Sequence, residues 1–220
     1  REVSRLHLSE ALSLDVVPAR VGRPALLTDP SAKFAEDGSN TAAVLAAIKI
    51  VDESMFQRVD AALQAVVPSI TKLHVAPASV PGERAVGWEV RVDLRGAGRL
   101  PAAALSQGTR MTLALVTALC HPSAPQLVMF DEIDHALHPR AQLELLRQVR
   151  ALLGVFPTMQ VVFTTHSPYM LDALTPDEVQ VFALHADGSS RVRSLAEYPG
   201  AEKARGALSA GELWSLSDEA

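Results

Sequence analysis

The stretch Gln126-Leu127-Val128-Met129-Phe130-Asp131-Glu132 constrains the fold more than any other. Four consecutive large apolar residues suit a strand buried on both faces of a parallel sheet. Burying each such side chain stabilises the fold by about 1.5–3 kcal/mol. Asp131 and Glu132 then emerge at the carboxyl end, where open α/β sheets bind ligands. A carboxylate at the end of a core strand is rarely left without a partner. Mg²⁺ with a phosphate fits that position, because Mg²⁺ takes one or two carboxylates and completes its shell with water and phosphate oxygens. A strand closed by a plain acidic turn satisfies the same seven residues.

A chain of 220 residues is enough for one large domain or two small ones. A net charge of −5 gives no global attraction to nucleic acid or to an anionic membrane. No apolar run reaches the length of a membrane span. The opening Arg1-Glu2-Val3-Ser4 is unlike a signal peptide, and the absence of an initiator Met fits a fragment of a longer chain. A single cysteine, Cys120, excludes an intrachain disulfide framework and is compatible with a cytoplasmic location. Its apolar helical context marks it as a core residue.

Along the chain, Val3 to Leu8 reads as a strand, and Pro18, Pro24 and Pro30 then break the chain into loop or edge structure. Asp37-Gly38-Ser39-Asn40 forms a turn into a helix through Val44, Leu45 and Ile48, with Ser39 or Asn40 as N-cap. A second helix, from about Glu53 to Val67, carries Met55, Phe56, Val59, Leu63 and Val66 at helical spacing and stops at Pro68. Leu73–Ala76 and the alternating Val86–Leu94 read as strands, followed by a turn at Gly96-Ala97-Gly98. Leu105-Ser106-Gln107-Gly108-Thr109 precedes an apolar helix from about Arg110 to Leu119. Ser106 is its N-cap candidate, and Gly108, lacking a Cβ, would let a phosphate approach the helix N-terminus; an ordinary capped helix is the competing reading. Leu137-His138-Pro139 opens a helix whose apolar face is Leu143, Leu146, Val149 and Leu153. Gln160 to Thr164 reads as a second buried strand, ending in Thr165-His166-Ser167-Pro168. Val179–Leu184 and Arg191–Leu195 flank Asp187-Gly188 as a hairpin. Trp88 and Trp214 suit core or interface positions better than base stacking.

The order and spacing of Ser106, Asp131 and His166 resemble the ATP-binding-cassette pattern of signature motif, Walker B and switch histidine. The narrower resemblance is to the RecF/SMC/OLD branch of these ATPases, which acts in DNA repair and phage defence. It is carried by Asp37-Gly38-Ser39-Asn40, Leu105-Ser106-Gln107-Gly108-Thr109, Asp131-Glu132, Leu137-His138-Pro139 and Thr164-Thr165-His166-Ser167-Pro168, with Gly211-Glu212-Leu213-Trp214 as an echo. The resemblance implies an α/β fold: a P-loop NTPase-like sheet flanked by helices, with residues 1–220 forming the C-terminal part of one ATPase domain. It implies ATP and Mg²⁺ as cofactors. Asp131 would hold Mg²⁺ through water, Glu132 would orient and deprotonate the attacking water, and His166 would contact the γ-phosphate. Ser106, Gln107, Gly108 and Thr109 would form the nucleotide-contacting set, with Ser106 and Gly108 meeting the γ-phosphate bound on a second protomer. Asp134, His135 and His138 would lie in the D-loop at the dimer interface. The implied partners are a second copy of the ATPase, DNA and an effector nuclease, with no membrane.

Two departures shape this expectation. No Gly-x-x-x-x-Gly-Lys-Ser/Thr occurs, since Lys33, Lys49, Lys72 and Lys203 all lack the glycine frame. The Walker A lobe is therefore expected outside these residues. Ile133 and His138 stand where transporter-type cassettes usually carry Pro and Asp, which points away from a transporter subunit. Two other readings stay open: a metal-hydrolase cluster of His135, His138, Asp131, Asp134 and His166, and a non-catalytic dimerisation or scaffold module of the same fold. Ser167 beside His166 is no catalytic triad, because no nucleophile-elbow sequence is present. Without a phosphate cradle, residues 1–220 alone are expected to bind ATP weakly. Calorimetry on this fragment checks that expectation, and micromolar affinity would overturn it.

Overall fold

The computed structural model describes residues 11–29, 33–121, 123, 125–184 and 187–197. In chain order the elements are β1 (Leu12–Leu14), α1 (Pro18–Val21), α2 (Thr41–Val51), α3 (Glu53–Val66), β2 (Ile70–Ser79), β3 (Val86–Leu94), β4 (Gly98–Pro101), α4 (Gln107–Leu119), β5 (Leu127–Phe130), α5 (Pro139–Val155), β6 (Gln160–Phe163), α6 (Pro168–Asp172), β7 (Gln180–Leu184) and β8 (Ser190–Ser194). They divide into two compact units, residues 1–164 and 165–220. The expected strand at Val3–Leu8, Pro30, and the Gly211–Trp214 segment lie outside the described residues.

The first unit holds two sheets. One is parallel, in the order β1-β5-β6, with Leu14 beside Phe130 and Phe130 beside Phe163. The apolar run is its central strand, and Val128 is fully buried. The second expected buried strand behaves differently. In β6 alternate residues are exposed, Val162 at 56%, because β6 is paired on one side only and covered on one face. The other sheet is antiparallel, β2-β3-β4, and its hairpin turn uses Gly96 and Gly98. Leu73, Val90 and Val92 form its buried face.

Helices fill the space around these sheets. α3 packs against α2, α4, α5 and β2, while α2 also contacts β3. α4 is buried all round from Met111 to Leu119, which explains a helix with no polar face. Cys120 is buried at its end, and burial pushes the thiol pKa up to about 12. α4 starts at Gln107, earlier than the sequence suggests, because Ser106 caps it: Ser106 Oγ accepts the Thr109 N–H at 3.2 Å. Asn40 precedes α2 but does not cap it with its side chain. Its Oδ1 accepts the Ala35 N–H and its Nδ2 donates to Lys33 O, each at 2.9 Å, so the side chain braces the preceding loop. Pro18 sits at the first position of the short α1 rather than breaking the chain into loop; a proline loses nothing there. The buried face of α5 is Leu145, Leu146, Val149 and Leu152. Leu143 and Leu153 are half-buried, so this helix is turned slightly from the expected face.

Residues 165–197 form their own small core of Leu171, Val179 and Leu195, with Leu174 and Val181 packed against it. β7 and β8 make the expected hairpin, and Gly188 takes the positive φ of 83° that its turn requires. Among the described residues, no helix is long and apolar enough to cross a membrane.

Two contacts in the first unit set measurable constraints. Asp60, buried on α3, accepts the Leu73 N–H at 2.9 Å and the Gln64 Nε2–H at 2.7 Å, fastening α3 to β2. Asp60→Ala orphans a buried backbone donor and should cost about 1–3 kcal/mol in urea denaturation; an unchanged midpoint would remove Asp60 from this role. Gly108 at the start of α4 packs against the turn after β5, and a Cβ there would lie 2.4 Å from Ala136 O. Gly108→Ala should therefore destabilise by about 1–3 kcal/mol through overpacking against backbone. A thermal melt identical to wild type would contradict that.

Candidate functional site

Parallel pairing brings the carboxyl ends of β1, β5 and β6 to the same side. Asp15, Asp131 and Thr164 each follow the last residue of one of these strands. Asp131 and Glu132 are both exposed there. The Thr164 side chain joins them: its hydroxyl donates to Asp131 Oδ1 and accepts the Glu132 N–H at 2.8 Å. The main chain continues the same link, with Thr164 N–H donating to Phe130 O at 3.0 Å and Ile133 N–H to Thr164 O at 3.2 Å.

Beyond Asp131 the chain turns sharply. Glu132 has φ 49° and Ala136 has φ 58°, both in the left-handed region that residues with a Cβ seldom enter. Ile133 is almost fully buried between them and anchors the turn. The His135 N–H donates to Glu132 O at 2.9 Å, and His135 Nδ1 lies 3.5 Å from Glu132 Oε2 with both side chains about half exposed. Gln142 on α5 donates to Leu137 O at 3.0 Å and to Asp134 O at 3.4 Å, closing the far side of the turn.

These residues border a cavity of about 350 Å³ lined by Leu14, Asp15, Val16, Pro18, Gln107, Met111, Asp131, Glu132 and His135. Of the residues singled out from sequence, Gln107, Asp131, Glu132 and His135 meet here. Ser106 is exposed but uses its hydroxyl as the helix cap. Thr109 is buried, with its hydroxyl 2.8 Å from Ser106 Oγ. Gly108 is also buried, and the space a Cβ would fill is taken by Ala136. The missing Cβ of Gly108 is thus required by packing against the Ala136 backbone. His166 is exposed in the second unit, just before Ser167, whose N–H donates to Thr165 Oγ1 at 3.0 Å.

Sequence reasoning missed Asp15 and gave Thr164 no role. Leu14-Asp15 repeats, in shorter form, the strand-then-carboxylate pattern of Phe130-Asp131, a signal that was available. Thr164 becomes visible only through the register of β5 with β6. The metal-hydrolase reading loses its geometry: His138 is the N-cap of α5 and accepts the Arg140 N–H, so His135 and His138 share no helical face. No group of three His, Cys, Asp or Glu suited to a metal ion occurs among the described residues. The oxygen donors at Asp131 and Glu132 still suit Mg²⁺, which needs only one or two carboxylates when phosphate and water supply the rest. Thr164 donates its hydroxyl to Asp131 Oδ1.

Residues 47–172, more than half of the chain, match the AAA_21 family, described as "AAA domain, putative AbiEii toxin, Type IV TA system". The "Retron Vc95 probable ATPase" of Vibrio cholerae serotype O1 biovar El Tor is 33% identical over 89 residues, which is 35% of this chain and 17% of that protein. The Septu protein PtuA of Bacillus thuringiensis is 33% identical over 69 residues, 31% of this chain and 17% of that protein. The matched stretch thus spans about a sixth of the length of these curated relatives. In fold, the chain is similar to an SMC head bound to the C-winged helix domain of ScpA, with TM-score 0.59, 16% identity, and coverage of 90% of this chain and 57% of that one. It is also similar to the SMC head domain of Pyrococcus furiosus, with TM-score 0.51, 17% identity, and coverage of 74% of this chain and 38% of that one. The α/β architecture, its parallel sheet flanked by helices, is that of an SMC head. The chain belongs to the AAA_21 family of AAA domains, and its fold is similar to that of SMC heads.

Proposed function

We propose that residues 1–220 form the signature, Walker B and switch-histidine part of an ATPase head that closes on ATP as a dimer and gates DNA binding or an effector such as a nuclease. The observation that carries this reading is the carboxylate pair Asp131–Glu132 at the end of the central parallel strand, facing a cavity that Gln107 also lines.

Each residue has a chemical task in this reading. Asp131 would hold Mg²⁺, and the ion would supply positive charge to the phosphate oxygens. Glu132 orients the attacking water and takes its proton, a step that needs a positioned carboxylate more than covalent chemistry. His135, 3.5 Å from the Glu132 carboxylate, can restrain the direction in which that carboxylate points. His166 contacts the γ-phosphate and helps place the water. Ser106, Gln107, Gly108 and Thr109 act at the nucleotide of the second protomer; Ser106 caps only the Thr109 N–H, so the N–H groups of Gln107 and Gly108 remain for an anion at the helix start. The Walker A lobe is supplied by sequence outside residues 1–220.

A scaffold role is the second reading, favoured by the missing Gly-x-x-x-x-Gly-Lys-Ser/Thr sequence. Turnover separates the two. In the complete protein, Glu132→Gln should retain ATP binding while hydrolysis falls about 10²–10⁴-fold, the range for loss of a general base. Wild-type turnover in that variant would dismiss Glu132 as the base. A complete protein with no ATPase activity at all would support the scaffold.

A further inference from the structure

We infer that Thr164 is a positioning residue for the carboxylate pair, a conclusion that rests on the ATPase reading above. One hydroxyl performs two tasks. As a donor it binds Asp131 Oδ1, and as an acceptor it takes the Glu132 N–H at 2.8 Å. The two residues it connects are the pair assigned to the ion and to the water.

The backbone makes this link consequential. Glu132 sits at φ 49°, a left-handed conformation that a residue with a Cβ keeps only where its surroundings over-determine it. A change in φ turns the Glu132 side chain against the peptide plane that carries its N–H. That N–H ends on Thr164 Oγ1, so the hydroxyl anchors the plane from which the Glu132 side chain is set. The same hydroxyl fixes the rotation of the Asp131 carboxylate, directing Oδ1 to protein. Removing the hydroxyl therefore frees two groups together: the Asp131 carboxylate can rotate, and the Glu132 carboxylate can swing with its backbone.

Thr164 is itself exposed, so its methyl group contributes little to the core. This separates positioning from packing. Thr164→Val keeps the side-chain shape and removes only the hydroxyl; Thr164→Ser keeps the hydroxyl and removes only the methyl group. A packing role for the methyl group would leave Thr164→Val like wild type and impair Thr164→Ser, whereas a positioning role for the hydroxyl does the reverse.

The test uses the complete protein and two readouts. The first is hydrogen exchange at the Glu132 amide, which needs no ATP. Thr164→Val should lose protection there and Thr164→Ser should keep it. The second is steady-state ATP hydrolysis with Mg²⁺ titrated. Thr164→Val should lower kcat about 10–100-fold and raise the Mg²⁺ needed for half-maximal rate, as loss of an outer-shell partner of a metal ligand does. KM for ATP should change little, and Thr164→Ser should restore the rate. Retained protection or a wild-type kcat in Thr164→Val would overturn the assignment, as would a Thr164→Ser variant as slow as Thr164→Val. Glu132→Gln runs beside them as a control. A slow Glu132→Gln with a fast Thr164→Val removes only the role of Thr164. A fast Glu132→Gln removes the catalytic reading of the pair, and the role of Thr164 with it.

Discussion

The carboxyl-end geometry depends on β5 being paired in parallel along both edges. A parallel ladder aligns the ends of its strands, so Asp15, Asp131 and Thr164 come to the same rim without any loop having to carry them there. An antiparallel neighbour would have sent its end to the opposite side. Apolar burial of Leu127, Val128 and Phe130 holds the ladder in register, each contributing about 1.5–3 kcal/mol. A slip by one residue would exchange the two faces of the strand and move Asp131 out of line with Thr164. The rim is thus fixed by core packing, and the polar groups on it are free to serve other ends.

The turn after β5 stores strain that this packing must offset. Glu132 and Ala136 both adopt left-handed φ, at about 1–2 kcal/mol each for residues with a Cβ. Against that stand the buried Ile133 side chain, the hydrogen bonds to Thr164, and the Gln142 amide across the turn. A proline at position 133 would keep no N–H to give to Thr164 O, a bond this chain makes at 3.2 Å. The isoleucine therefore does more than mark a sequence branch, because both its backbone and its side chain hold the turn.

Much of this was legible in the sequence where one physical signal dominated. The apolar run of β5, the capped start of α4 at Ser106, the Pro139 start of α5 and the Asp187-Gly188 hairpin are each written in a few adjacent residues. What sequence could not give depends on contacts between distant segments. β6 looked buried because Val161, Val162 and Phe163 are apolar, yet pairing on one side leaves Val162 open. The face of α5 was misread between Leu143 and Leu145 because leucines occupy both, and helical spacing alone cannot choose between them. Asn40 looked like a cap because its type favours capping, but the loop at Lys33 and Ala35 competes for the same side chain. At the rim, Asp131 and Glu132 were readable from adjacency, whereas the place of Thr164 follows from strand register.

Gly108 shows how a motif match and a physical cause can diverge. A glycine at a helix start near phosphate-binding sequence suggests close approach of an anion. In this fold the glycine is already required by a nearer neighbour, since any Cβ would meet Ala136 O at 2.4 Å. The presence of glycine therefore cannot by itself indicate a phosphate at that position, because packing alone demands it. The same packing joins the start of α4 to the turn that carries Glu132, four residues before Ala136. A nucleotide pressing on the N-terminus of α4 would push on Ala136 through backbone rather than through a flexible side chain. Any functional weight placed on the Leu105–Thr109 segment should thus rest on the free N–H groups of Gln107 and Gly108 and on this rigid contact, not on the absence of a side chain.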